Sequence, residues 1–304
     1  MVVISFLHGG AGEGQTTTIC SVAYELGLMT LQELPEPPEY PLVQLVDYSN
    51  MHDMINILAS EKVLIAVDEA STLFECAKSR EKDWSRCCYP TRLQHAETKR
   101  PIFFITPFAS RGTSLEMSSP DAVGLLKLLF SMNERLLTVV KYSFYDVPAI
   151  AAGRLTNNII PPLAVSDLYF LVVGANQQTV EKAIEAGRSA LKAVETGIFD
   201  PPIHVTGFIL TQEHEKAKSE KWADQISMAL ELLHLGSIDH DAGVQKTVIE
   251  QNKLPVEPEV RDNFPAITKQ YETLARKIKV IASEETNLRK PSQAQIENMA
   301  QKIT

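Results

Sequence analysis

Nine consecutive residues near the amino terminus have types and spacing suited to binding phosphate. They are Gly9, Gly10, Ala11, Gly12, Glu13, Gly14, Gln15, Thr16 and Thr17. Residues 2–7 form a largely apolar run rich in β-branched residues, which predicts a buried strand, and the apolar spacing over residues 17–29 predicts a helix. In this context glycines let backbone N–H groups point at an anion, and the helix amino terminus adds its positive dipole end. The segment predicts a phosphate-binding loop; the alternative is a glycine-rich turn that binds nothing.

The loop lacks the basic residue that this motif normally carries. The general motif is G-x-x-x-x-G-K-[ST], in which the lysine reaches the β- and γ-phosphates and the serine or threonine hydroxyl binds Mg²⁺. Gly9, Gly14 and Thr16 match, whereas Gln15 stands at the lysine position. A glutamine amide offers a hydrogen bond but no charge, and Glu13 adds a carboxylate beside the anion site. We therefore expect binding of ATP or ADP with Mg²⁺ to be weakened, and whether ATP binds tightly stays open.

The composition is that of an ordinary globular protein. The chain has 304 residues, of which 44% are hydrophobic and 22% charged, enough for one large α/β domain. A net charge of −9 argues against a protein that coats nucleic acid by itself, but it leaves a local basic patch open. No apolar run approaches the roughly 18–20 residues of a membrane helix, and the start lacks a signal-peptide pattern. These features predict a cytoplasmic protein.

The cysteines do not form a recognisable metal or disulfide pattern. Cys20, Cys76, Cys87 and Cys88 include no C-x-x-C pair, and adjacent cysteines such as the last two rarely bridge to each other. The histidines are scattered rather than placed at ligand spacing. We therefore expect four free thiols in a reducing compartment and no metal site built from cysteine and histidine.

Segments with strand character alternate with helical segments along the chain. The predicted strands are residues 2–7, 42–46, 102–105, 138–145, 168–173, 205–210 and 235–238. The predicted helices are residues 17–29, 53–60, 120–133, 179–196, 242–252 and 264–283, with Ser119 as the N-cap of the third. Residues 62–67 fit a strand or a helix, and residues 76–100 predict a surface segment with modest helix content. The alternation predicts a doubly wound, mainly parallel sheet of about seven strands with helices on both faces.

The domain organisation predicted from this pattern is simple. Residues 1–283 predict a single P-loop domain, because no repeat or long linker interrupts them, and residues 284–304 predict a polar tail. Residues 291–304 contain scattered apolar side chains, no aromatic residue and one lysine. That composition argues against a membrane-binding amphipathic helix at this end of the chain.

The loop and the features that follow it resemble the ParA/MinD family of deviant Walker P-loop ATPases, over about residues 2–282. The family loop is similar to G-K-G-G-x-G-K-T-T, so Gly10 replaces its signature lysine and Gln15 replaces its P-loop lysine. In the family the signature lysine reaches the partner subunit's nucleotide. The resemblance therefore implies a homodimer that sandwiches nucleotide, with both of these lysines missing.

Further positions match the family in order. Asp47, at the end of the second strand, corresponds to the catalytic aspartate that positions the attacking water, and Asp146 to the Walker B aspartate that holds Mg²⁺ through water together with Thr16. Thr211 replaces an asparagine that contacts adenine, and residues 235–239 resemble the family's late L-G-x-I-P turn. Within the family, residues 102–110 and 115–129 look most like the TadZ/CpaE branch, which localises pilus machinery.

Two hypotheses about function follow from this resemblance. The first is an intracellular positioning or assembly protein with a degenerate ATP site, which is a pseudo-ATPase or a very weak ATPase acting as a scaffold for a protein partner or cargo. The alternative is an active Mg²⁺-dependent ATPase whose hydrolysis is triggered by a partner, for example in pilus, cargo or plasmid localisation. Phosphoryl transfer depends mainly on positioning and charge stabilisation, so the loss of two lysines favours the first hypothesis.

Overall fold

The structure is a computed structural model that describes most of the chain. The described residues are 1–8, 14–36, 38–48, 53–60, 72–79, 83–95, 99–110, 117–147, 157, 159–195, 205–284 and 291–303. Residues 62–67, predicted as a strand or a helix, lie outside this set, and so do Gly9, Gly10, Ala11, Gly12 and Glu13 of the predicted loop.

The described residues form one sheet of eight strands. The strands are β1 (Val2–His8), β2 (Val43–Asp47), β3 (Tyr89–Pro90), β4 (Phe103–Pro107), β5 (Tyr142–Val147), β6 (Leu168–Gly174), β7 (Val205–Glu213) and β8 (Leu233–Asp239). Their order is β3-β4-β2-β5-β1-β6-β7-β8. Every neighbouring pair is parallel except β3 with β4, so the predicted mainly parallel sheet is confirmed with one strand more than expected.

Helices cover both faces of this sheet, as predicted. They are α1 (Gln15–Gln32), α2 (Asp53–Leu58), α3 (Leu73–Ser79), α4 (Ser119–Leu136), α5 (Ile160–Val165), α6 (Gln177–Glu195), α7 (Lys216–Leu230), α8 (Ala242–Gln251), α9 (Pro265–Glu284) and α10 (Gln293–Ile303). Along β1, Ile4 and Phe6 face the core beneath α1 and α9, whereas Val3 and Leu7 face the core beneath α4. This alternation is the period of two that a strand imposes on its side chains.

Two helix starts depend on single residues. Gly14 precedes α1 with φ of 75°, a left-handed conformation that favours glycine because a side chain there is strained. At α4 the hydroxyl of Ser118 accepts a hydrogen bond from the backbone N–H of Asp121 at 3.3 Å. The prediction of Ser119 as N-cap is therefore wrong by one residue, because Ser119 already belongs to the helix and Pro120 lies in its first turn.

Several side chains between residues 76 and 100 are buried, although the polar composition predicts a surface segment with modest helix content; the structure describes residues 76–79, 83–95 and 99–100 of this range. Cys76 on α3 and Cys87 at the end of a 3-10 helix (Trp84–Cys87) are buried, and their Sγ atoms are 3.6 Å apart. The two-residue strand β3 then pairs antiparallel with β4. The few large apolar side chains of the segment pack into the core, while the polar ones between them dominate the composition.

The end of the chain also differs from the expected polar tail. Helix α10 packs against α4, and its Met299 and Ala300 are buried in the core on that face of the sheet. Apolar side chains placed three to four residues apart form one face of a helix, although the segment is polar on average. Among the described residues, no helix has the length and apolar character needed to cross a membrane.

Candidate functional site

The carboxyl ends of three adjacent strands bring together the residues predicted to bind phosphate and metal. In the sheet, β1 lies between β5 and β6, and β5 also pairs with β2. The register places Asp146 beside both Phe6 and Asp47. In open parallel sheets, ligands bind outside the carboxyl ends of strands, where the direction of winding reverses. Strand β1 ends at His8 on this edge of the sheet.

Asp146 makes two polar contacts at this edge. Its Oδ2 accepts a hydrogen bond from the hydroxyl of Thr16, in the first turn of α1, at 2.9 Å. Its Oδ1 lies 3.1 Å from Nε2 of His8, the last residue of β1. The fold therefore unites Thr16 and Asp146, which are 130 positions apart in the sequence and were both predicted as metal-binding residues.

Asp47 lies next to this cluster and is fully buried. Its Oδ2 accepts a hydrogen bond from the backbone N–H of Ile55 at 3.2 Å, so the carboxylate also holds the start of α2. A carboxylate at a helix amino terminus is favourable because it satisfies a free backbone donor. Asp47 lies beside Asp146 in the register, and its predicted catalytic role stays a prediction. The contact with α2 gives Asp47 a structural role.

A cavity of about 390 Å³ opens beside the first turn of α1. One wall consists of Gly14, the three threonines Thr16, Thr17 and Thr18, and Gln15, whose side chain is buried. The opposite wall comes from α8 and is more apolar, with Val244 and Val248. Small-molecule sites are typically clefts of several hundred Å³ with mostly apolar walls and a few placed polar groups, so the cavity has the size and character of a ligand site.

The end of β7 closes the cavity from a third side. Thr211, predicted to replace the adenine-contacting asparagine, is buried, and its hydroxyl donates to the backbone carbonyl of Val173 at 3.3 Å. Gln212 follows in the left-handed conformation with φ of 57°. Its amide lies close to Gly14, since a Cβ placed on Gly14 would be 3.4 Å from Nε2 of Gln212. Thr211 therefore borders the same cavity as the predicted phosphate loop.

One tyrosine at the cavity is held in its neutral form. Burial raises the pKa of Tyr271 on α9 to about 12, while the neighbouring side chains of Thr18 and Ser21 on α1 lower it in part. At neutral pH its hydroxyl is therefore an uncharged donor or acceptor.

The charges on the cavity walls are unusual for a phosphate site. The described residues that line it include no lysine and no arginine, whereas Asp239 and Asp241 are both present. Asp241 is the N-cap of α8, and its Oδ1 accepts from the backbone N–H groups of Gly243 and Val244 at 2.7 and 3.1 Å. A cation to balance phosphate charge is thus absent from this part of the described structure.

The residues present fit Mg²⁺ by their chemistry. A hydroxyl and a carboxylate are hard oxygen donors, and Mg²⁺ is commonly held by one or two such protein groups together with water and phosphate oxygens. The Oδ1 of Asp146 is buried and makes no hydrogen bond within the described residues. Thr16 and Asp146 would therefore hold the ion. Elsewhere in the described structure, no group of three or more His, Cys, Asp or Glu side chains is arranged to hold a metal.

His8, Gln212 and Asp241 lie at the site but were not predicted as site residues. Each follows or ends a predicted strand on its carboxyl side, and this position was the available signal. Gly14, Gln15, Thr16, Thr17, Thr211 and Asp146 are brought to the site. Gly9, Gly10, Ala11, Gly12 and Glu13 lie outside the described residues, so their predicted contacts with nucleotide stay predictions.

The fold and this site define a P-loop nucleoside triphosphatase architecture, and solved structures specify its form. No protein-family model matches the sequence, and no curated protein is significantly similar to it. The MinC:MinD cell division protein complex of Aquifex aeolicus matches with a TM-score of 0.63 and 14% identity, over 92% of this chain and 96% of that chain. The septum site-determining protein MinD of Pyrococcus horikoshii, complexed with Mg-ADP, matches with a TM-score of 0.62 and 16% identity, over 94% and 99%.

A McdA variant from Cyanothece in complex with ATP matches with a TM-score of 0.64 and 16% identity, over 96% of this chain and 99% of that chain. These matches extend over nearly the whole length of both proteins. The chain therefore has the P-loop fold in the form found in MinD and McdA, which confirms the predicted fold class.

Proposed function

We propose that this chain is a ParA/MinD-like positioning or assembly protein with a degenerate ATP site, which binds adenine nucleotide weakly and hydrolyses it very slowly or not at all. The observation that carries this proposal is the absence of lysine and arginine from the described cavity lining, with the neutral Gln15 opening α1. The MinD and McdA relatives are complexed with Mg-ADP and ATP. Their ligands support an adenine nucleotide with Mg²⁺ for this cavity as well.

The site keeps some of the groups that a nucleoside triphosphatase needs and lacks others. Backbone N–H groups at the start of α1 and the hydroxyl of Thr16 can still orient phosphate, and Asp146 can still hold Mg²⁺, which would neutralise phosphate charge. Stabilisation of the transition state requires further positive charge on the transferred phosphoryl group. Gln15 cannot supply it, so we expect slow chemistry even when nucleotide is bound.

The remaining function is then that of a scaffold. The MinD of the Aquifex complex is bound to MinC, which supports a protein partner for this chain too. We include a homodimer in the proposal. Because the partner-reaching lysine position is Gly10 in this sequence, we expect that dimer not to depend on nucleotide. Sedimentation velocity with and without Mg²⁺-ATP measures this directly.

The first test is a calorimetric titration of the purified protein with Mg²⁺-ATP, with ADP in parallel. We expect a dissociation constant weaker than roughly 100 μM, and at least tenfold tighter binding in Gln15→Lys, because one well-placed charge contributes about 1.4 kcal/mol or more. Gln245→Lys is the matched control, since it adds the same charge on α8 at the other wall of the cavity. Micromolar binding by the unaltered protein would contradict the degenerate site.

The alternative is an active ATPase triggered by a partner. Asp47 favours it, because this carboxylate is kept beside Asp146 at the strand ends. Asp47→Asn is the informative variant, since its amide oxygen can still accept from the N–H of Ile55 and so preserve α2. Steady turnover of ATP by the unaltered protein that disappears in Asp47→Asn, with binding unchanged, would establish the ATPase and overturn the pseudo-ATPase proposal.

A further inference from the structure

His8 lies beside Asp146, the carboxylate predicted to hold Mg²⁺. It is the last residue of β1, and its side chain is 13% exposed while that of Asp146 is 3% exposed. Nε2 of His8 is 3.1 Å from Oδ1 of Asp146, and the hydroxyl of Thr16 donates to Oδ2 of the same carboxylate. Each carboxylate oxygen therefore has a protein neighbour of its own.

A divalent cation has strict requirements at such a carboxylate. Mg²⁺ binds oxygen at about 2.0–2.1 Å in near-ideal octahedral geometry and usually keeps several waters. Those waters need space around the oxygen that the ion approaches. The oxygen of Asp146 without a hydrogen bond is Oδ1, and the imidazole of His8 lies against that same atom.

We propose that His8 competes with Mg²⁺ for Asp146, so that nucleotide binding in this cavity depends little on Mg²⁺. The imidazole lies 3.1 Å from the buried oxygen Oδ1 of this carboxylate. It also occupies part of the space that the ion and its waters need. This inference rests on the proposed nucleotide binding for its effect on affinity, but competition at Asp146 itself does not require nucleotide.

Among the described residues whose side chains contact Asp146, His8 is the one that would compete with a cation. Thr16 would change from donor to the carboxylate to ligand of the ion, which fits its predicted role. Asp47, beside Asp146 in the register, is directed to the N–H of Ile55 through Oδ2 and adds negative charge that favours a cation. Removal of the imidazole should therefore expose a site that otherwise has suitable oxygen ligands.

The first experiment measures metal binding without nucleotide. Mn²⁺, used as a paramagnetic probe for Mg²⁺, is titrated into the purified protein and free Mn²⁺ is followed by electron paramagnetic resonance. We expect at least tenfold tighter binding in His8→Asn and His8→Gln than in the unaltered protein. His234→Asn, on β8 and stacked on Phe208, is the matched control and should have no effect. Equal Mn²⁺ affinity in all four folded proteins would overturn the proposal.

The second experiment measures ADP affinity by calorimetry in Mg²⁺ and in EDTA. We expect less than about a threefold difference for the unaltered protein and at least a tenfold difference for His8→Asn. If no variant binds ADP, the proposed nucleotide site fails, while the Mn²⁺ titration still decides whether His8 competes for Asp146. A tenfold dependence on Mg²⁺ in the unaltered protein that His8→Asn leaves unchanged would refute the competition.

Discussion

Glu25 is a buried carboxyl on α1, outside the nucleotide cavity. It is 4% exposed, and its Oε1 lies 3.7 Å from Nη2 of Arg261, which also forms an ion pair with Glu272 at 2.8 Å. Burial raises the pKa of Glu25 from its ordinary value of 4.5 to about 7, although the charge of Arg261 lowers it in part. The carboxyl is therefore more easily ionised in the unfolded chain than in the folded protein.

This pKa predicts how stability depends on pH. Because the folded pKa is raised, the stability that Glu25 contributes is fully present below pH 4.5 and is lost as the pH rises to about 7. We expect Glu25→Gln to be more stable than the unaltered protein at pH 8, by on the order of 2 kcal/mol, and this advantage to shrink toward pH 5. Urea denaturation at both pH values measures it.

The exposed Glu220 on α7 provides the control for this prediction. Glu220→Gln removes the same charge from the surface, so it should leave the free energy of unfolding within about 0.5 kcal/mol at both pH values. An equal stability of Glu25→Gln and the unaltered protein at pH 8 would show that Arg261 fully compensates the buried carboxylate.

Arg92 connects several elements near the cavity. Its guanidinium donates to both carboxylate oxygens of Glu257 at 2.7 and 2.6 Å, and to the backbone carbonyl of Ile57 at the end of α2 at 3.1 Å. It also donates to the carbonyl of Asn252, the residue that ends α8. Glu257 is 2% exposed, so the guanidinium of Arg92 is paired with a buried carboxylate. Arg92 thus fixes α2 and α8 relative to each other, with Ile57 and Asn252 both at the cavity.

We expect Arg92→Ala to destabilise the protein by about 3–5 kcal/mol, because it leaves the carboxylate of Glu257 buried and without its cation. Chemical denaturation followed by circular dichroism measures this loss. Arg86→Ala is the matched control, since the side chain of Arg86 is 67% exposed and its Nε lies 3.7 Å from Oδ2 of Asp83, a long distance for an ion pair. A loss below about 1 kcal/mol for Arg92→Ala would mean that solvent replaces the arginine.

At the scale of the whole molecule, the last helix completes the core on one face of the sheet. Met299 is 1% exposed and belongs to the same cluster as Leu129 and Met132 of α4, with Ile296 packed against it. The apolar face of α10 is therefore covered by the protein itself. The prediction that residues 291–304 do not bind a membrane stays a prediction.

We expect Met299→Ala to cost about 2–4 kcal/mol, because a buried methionine truncated to alanine leaves a cavity. Met228→Ala on α7 removes the same side chain from the surface, where it is 79% exposed, and should have almost no effect. Thermal unfolding of both variants makes the comparison. Equal melting temperatures would show that α10 does not contribute to the core as the structure places it.

The sequence by itself determined the fold class and much of the phosphate loop's context. Continuous apolar runs predicted the central strands β1, β2 and β6, and the helices at 242–252 and 264–283 agree with α8 and α9. These signals are local. A continuous apolar run indicates a strand buried on both faces, and an apolar period of 3.6 residues indicates a helix, and each can be seen within a single segment. For the same reason the short β3 and the polar α10 were missed, because their apolar side chains are too few to dominate the composition.

The family resemblance placed Thr16 and Asp146 at one predicted metal site, but only the tertiary structure showed that His8 joins them. Thr16, His8 and Asp146 come from the start of α1, the end of β1 and the end of β5, and the strand order makes them neighbours. Nothing in the local pattern of His8 indicated that its imidazole lies against Asp146. Strand order depends on packing between distant segments, so the contacts that set charge and metal access at the site follow from the folded sheet.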